Sequence, residues 1–203
     1  MTVKPQVEST LASWANGTSC ADGTSADGTS AGEVANEQVS DLAACVDIQI
    51  AAESDQLPTA QALAVWANEA LTVAADNRWS RLPATSVELC IRLVETEEGT
   101  SLNETYRGRS KPTNVLSFGI DEALTRIELG CPQPIGDIVL CVPVVEREAA
   151  QQGKPCTDHY AHLVVHGILH LLGFDHEEEV AAQDMECKEV AILRQLGIAN
   201  PYE

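Results

Sequence analysis

Basic residues are scarce in this sequence: 12 Lys and Arg stand against 31 Asp and Glu, a formal charge of −19. An excess of that size favours solubility and repels polyanions at long range. It argues against tight, sequence-independent binding to long duplexes, which needs many Lys and Arg contacts to release counterions. Long apolar runs are missing too. None approaches the roughly 18 residues of a membrane-spanning helix, and Met1 to Leu11 mixes charged and polar residues where a signal peptide would carry an apolar core. A cytoplasmic protein without a membrane partner is the expectation. Paired cysteines are absent in the same sense: the seven cysteines are an odd number, widely spaced, and no two form a CxxC motif. Reduced thiols are expected, not disulfides or a thiolate metal site.

What remains is enough for one ordinary core. With 203 residues, 44% hydrophobic, the chain can build a single domain with a modest appendage. The appendage is legible at the start. Residues 16–33 are almost all Gly, Ser, Thr, Ala and Asp, with ADGTS twice in tandem at 21–25 and 26–30. Such a stretch buries too little apolar surface to offset its ordering entropy, so residues 1–43 are expected to be a disordered extension of a 44–203 domain. The repeat is too short for a solenoid.

Beyond it, Val46, Ile48 and Ile50 alternate with Asp47 and Gln49, the period of a half-buried strand. Thr59 is placed to cap a helix carrying Leu63, Trp66, Ala67, Ala70, Leu71 and Ala74 on one face. A second strand runs over 86–94, with Val87, Leu89, Ile91 and Leu93 sharing a side. Leu102 to Tyr106 closes a short helix, 108–112 forms a loop, and Val115 to Phe118 a brief strand. A near-continuous apolar strand at 136–141 is followed by a helix with Pro143 in its first turn. Thr157 is expected to cap a helix reaching about Leu172 and ended by Gly173, and a last helix covers about 177–196. Mixed strands and helices predict an α+β fold with a mixed sheet of about four strands.

All five histidines fall in one segment, HYAHLVVHGILHLLGFDH, from His159 to His176. Helical residues four apart differ by about 40° in azimuth and about 6 Å along the axis, so His166 and His170 point the same way. Gly173 lets the chain turn back and return His176 to the same point. Three imidazoles with one position open describe a catalytic zinc site better than a structural one, which closes all four positions. His162 lies a further turn away and is expected to pack or to support a ligand, and His159 to face solvent. The pattern resembles the HExxH of zincins on a metal-binding helix, but Gly167 stands where those peptidases carry a general-base Glu. A bound metal can lower the pKa of water by itself, so hydrolysis survives that loss. Asp175 can orient an imidazole, relay a proton or simply shape the turn.

Four further blocks accompany HGILHLLGFDH: LNETYRGRSKPTNVLSFG at 102–119, IGDIVLC at 135–141, MECKEVAILRQLG at 185–197 and a closing NPYE. In this order they resemble the YbeY family of ribosomal RNA maturation endoribonucleases over about residues 45–203. The resemblance implies a compact α+β domain, one zinc ion on His166, His170 and His176, and a functional arginine at Arg107. It also implies cleavage of single-stranded RNA, in ribosomal RNA processing including the small-subunit 3′ end and in ribosome quality control. Partners would be ribosomal RNA, the ribosome or its small subunit, and ribosomal proteins. A guanidinium at Arg107 suits that role because it can hold phosphate through two hydrogen bonds. Arg109 and Lys111 add local positive charge, and Asn114 and Ser117 can donate to phosphate or substrate. Each of these also has an ordinary reading as polar loop, turn or strand-end chemistry. Asp137 can accept a supporting hydrogen bond, and Cys141 reads as a buried strand residue. Ser110, where the family often has Asp, and Gly119, where Pro is common, alter the loop and strand end. A zincin-like peptidase or other metallohydrolase, and a non-catalytic ribosome-binding factor with a structural metal, are the competing readings.

Overall fold

The structure, a computed structural model, describes residues 43–74, 86–120 and 131–203, which all lie in the unit Val39–Glu203. The extension expected over residues 1–43 lies outside them, apart from its final residue. The described elements run β1 (Ala43–Ala51), α1 (Ala60–Ala74), β2 (Ser86–Val94), α2 (Thr96–Arg107), β3 (Val115–Gly119), β4 (Gln133–Cys141), α3 (Val142–Gln152), α4 (Cys156–Leu171) and α5 (Glu179–Gln195). The sheet has the order β1-β2-β4-β3; β1, β2 and β4 are parallel, and β3 joins the edge antiparallel to β4. The fold is therefore α+β with a mixed four-stranded sheet.

Alternation in β2 does what its period requires: Val87, Leu89, Ile91 and Leu93 point into the main core, while Glu88, Cys90 and Arg92 lie on the other face. Helices α1, α4 and α5 supply the other half of that core. A smaller cluster of Val94, Leu116, Val139, Cys141 and Val144, with Leu102 and Phe118 against it, joins the far face of the sheet to α2 and α3. Thr59 caps as expected, its Oγ1 accepting the Ala62 N–H at 3.1 Å. Thr157 does not cap α4: the helix begins one residue earlier, at Cys156 after Pro155, and no side chain caps it. Proline there fixes φ and carries no N–H, so it enters the helix without an extra donor to satisfy. No helix among the described residues is long and apolar enough to cross a membrane.

Two glycines let α4 lie hard against the sheet. Gly136 adopts φ 141° at the point where β4 slips register against β2, and a Cβ there would meet the Phe118 carbonyl oxygen at 2.3 Å. At Gly167, inside α4, a Cβ would fall 3.0 Å from Ile138 Cδ1 and 3.1 Å from Ser117 Oγ. The helix that carries the histidines is thus seated directly on β3 and β4.

Candidate metal centre

Helix α4 is apolar almost all the way round, as a helix buried between layers must be. From His159 to Leu169 the positions that reach solvent are His162 and His166, and His170 continues the row one turn on. The His159 expectation fails: its ring is 5% exposed and its Nε2 donates to Glu148 Oε2 of α3 at 3.1 Å. Since α3 as well as the sheet packs on α4, the face that reads as open in the sequence is covered.

The geometry around His166 and His170 fixes the chemistry of both rings. His166 Nδ1 lies 2.7 Å from Glu189 Oε1, and His170 Nδ1 lies 3.1 Å from the Phe174 carbonyl oxygen. A carboxylate and a carbonyl only accept, so each Nδ1 carries the proton. Both Nε2 atoms are then left with lone pairs, and they face each other at 3.1 Å. Two lone pairs at that distance repel unless a cation sits between them. A tetrahedral zinc about 2.1 Å from two imidazole nitrogens would hold them roughly 3.4 Å apart, so this pair fits such an ion with an opening of a few tenths of an ångström.

His176 supplies the third ligand atom. After Gly173, which takes φ 81°, the chain reverses and brings the His176 ring to 5.0 Å from that of His170 and 5.6 Å from that of His166. One ligand atom from each of the three rings lies within 4.8 Å of the others. His176 is exposed, whereas the other two are half-buried, so the three rings meet at the protein surface. Burial and the neighbouring imidazoles of His166 and His176 lower the pKa of His170, against a smaller opposing pull from its bond to Phe174. That favours the neutral, ligating form. Asp175 accepts the His176 N–H on Oδ1 at 2.7 Å and shapes the turn that presents the ring.

A family model described as Endoribonuclease YbeY matches residues 48–197. The chain belongs to the endoribonuclease YbeY family. Among its relatives, Endoribonuclease YbeY of Methylococcus capsulatus is 47% identical over 152 residues, covering 74% of this chain and 91% of that protein. The proteins of the same name from Alteromonas mediterranea and Colwellia psychrerythraea are 44% and 43% identical, covering 80% and 79% of this chain and 98% of each relative. The matched stretch takes in His166, His170, His176 and Glu189.

The remaining expected site residues divide into two groups. Arg107, Arg109 and Lys111 are exposed, and their side chains have no partner among the described residues. Arg107 ends α2, where Gly108 takes the left-handed conformation and stops the helix. The loop after it is held from below by buried Asn103, whose Nδ2 donates to the Lys111 carbonyl at 2.6 Å and whose own carbonyl accepts the Arg109 N–H. Asn114 and Ser117 are instead engaged in the fold. Asn114 Oδ1 accepts the Val115 N–H, and its Nδ2 donates to Glu148, the carboxylate that also holds His159. Ser117 Oγ is buried beneath Gly167, with no hydrogen-bond partner among the described residues. Asp137, half-buried beside Asp47 and Glu88, has its pKa raised, chiefly by burial.

Sequence reasoning did not find Glu189. It comes from α5 with its side chain 1% exposed and accepts from His166, from His162 Nε2 at 3.2 Å and from the Tyr202 hydroxyl. Burial alone would raise its pKa, but the hydrogen bonds from His162, His166 and Tyr202 outweigh it and leave the value at about 2. The one signal was MECKEVAILRQLG itself, in which a Glu sits four residues after Met185 on the same helical face as Ile192 and Leu193. A cavity of about 230 Å³ adjoins His162 from the other side, lined by Lys154, His159 and Pro201, but touches none of His166, His170 and His176.

Proposed function

We propose that this protein is a zinc-dependent endoribonuclease that cuts single-stranded RNA in ribosomal RNA processing, including the small-subunit 3′ end, and in ribosome quality control in the cytoplasm. The reading rests on family membership for the substrate class and on one observation for the chemistry. That observation is the pair of Nε2 lone pairs on His166 and His170, 3.1 Å apart, with both Nδ1 protons already committed elsewhere. His176 completes the three-nitrogen set, and Gly167 leaves no protein base where a zincin has one. A bound zinc ion would supply Lewis acidity and a water of lowered pKa at that open position.

The chain's own residues do the rest in this reading. Glu189 and Phe174 hold the two Nδ1 protons away from the centre, and Asp175 sets the turn that presents His176. Arg107 grips the scissile phosphate with its guanidinium and steadies the charge that develops there. Arg109 and Lys111 track neighbouring phosphates, and Asn114 and Ser117 shape the strand end beside them. The body's negative charge suits a strand presented by the ribosome, with ribosomal proteins in contact, better than free RNA captured from solution. Residues 1–43 stand outside this activity, and a chain lacking residues 1–42, which end before β1, should melt at the same temperature.

The test is to measure bound zinc and the cleavage of single-stranded RNA and of casein by the native protein and by His170→Ala. The native protein should carry one zinc and cut RNA but not casein. Full RNA cleavage by a metal-free His170→Ala protein would overturn the reading, and casein cleavage would favour a peptidase.

A further inference from the structure

We propose that Glu189 is the positioning residue of the histidine centre and that Tyr202 holds it there, so the segment following α5 takes part in metal binding. This rests on the metal reading given above. A carboxylate removed from water is costly unless each of its oxygens is met by donors. Here Oε2 is met twice, by His162 Nε2 and by the Tyr202 hydroxyl, which leaves Oε1 to His166 Nδ1 alone. The division matters because Nδ1 and Nε2 of one neutral ring compete for a single proton. An acceptor fixed at Nδ1 keeps that proton off Nε2, the atom that faces His170.

Tyr202 is itself tied down. Its N–H donates to Asn200 Oδ1 at 3.1 Å, its ring meets the His162 ring edge-on at 5.8 Å between centroids, and Lys154 Nζ donates to the neighbouring Pro201 carbonyl. His162, His166 and Glu189 also form a group whose ligand atoms lie within 4.8 Å of one another. Their short contacts are already filled by protons on the two rings, so the group supports one ion and does not hold a second.

The experiment is a zinc titration of the full chain against a chromophoric chelator, after metal stripping, for the native protein, Glu189→Gln and Tyr202→Phe. A glutamine cannot accept from three donors, so zinc affinity should fall about 10- to 100-fold in Glu189→Gln. In Tyr202→Phe it should fall by a smaller factor, with circular dichroism unchanged. Long-range 1H–15N spectra of the metal-free protein should place the His166 proton on Nδ1 in the native chain and shift it towards Nε2 in Glu189→Gln. If Glu189→Gln does not fold, Tyr202→Phe decides the matter, because it removes one hydroxyl from a residue that is 49% exposed. Native affinity within twofold in the folded variants, an unchanged His166 proton, two zinc ions per native chain, or no zinc binding by the native chain would each overturn the proposal. A native protein that binds one zinc through these contacts yet leaves RNA uncut would defeat the nuclease reading and leave this one standing.

Discussion

The row of histidines on α4 and the basic loop after α2 carry polar side chains in opposite ways. At α4 each ring that faces the centre from the helix has its far nitrogen committed to an acceptor, and the helix is seated tightly on the sheet at Gly167, where even a Cβ would press on Ile138 and Ser117. In the loop the backbone is held by Asn103 and Gly108 and the Ser110 hydroxyl by Glu104, while Arg107, Arg109 and Lys111 project without partners among the described residues. A centre that must meet an ion of fixed radius needs side chains set before it arrives. A surface that meets phosphates along a single strand needs charge at a known place with adaptable reach.

That contrast can be broken at several points. The largest effect is expected from His170→Ala, which should lose zinc and cut RNA at least roughly a thousandfold more slowly, since a catalytic metal contributes several kcal/mol. Next comes Gly167→Glu, which writes the zincin pattern into α4. It should cost more than about 3 kcal/mol in urea unfolding, because the carboxylate is driven against Ile138 and Ser117, and it should gain no casein activity. Arg107→Ala should slow RNA cleavage roughly 100-fold at unchanged zinc content and melting temperature. If zinc were lost along with activity, the loop and the centre would be one unit and the contrast would fall. The smallest effect belongs to Lys111→Ala: a few-fold rise in KM, with the slope of log affinity against log salt reduced by about 0.7 on single-stranded RNA.

Much of this was legible in the sequence where a period repeats. Strand β2 falls on the expected residues, and the three histidines were marked by a spacing of four and a glycine break. Four-residue spacing is a property of the helix itself, so no tertiary knowledge is needed to read it. Helix α2 was legible only at its end, because Thr96–Ser101 is polar and offers no apolar stripe. Glu189, Glu148 and Asn103 were missed for a shared reason: each is a polar residue whose partners or cover come from another part of the fold. Glu189 meets His166 across 23 residues, a contact that only the packing of α5 on α4 creates. His159 was misjudged for the same reason, its partner being Glu148 of α3.

The seat of α4 at Gly167 also measures how far this protein stands from a peptidase. Gly167 is one of two glycines at which helix and sheet approach closely, and its place in the sequence is the one a zincin's general base would occupy. A carboxylate added there would be driven towards Ile138 and Ser117, and any shift of α4 that relieved it would carry His166 and His170 along. Writing a general base into this helix is therefore a matter of packing between layers as well as of chemistry at one position.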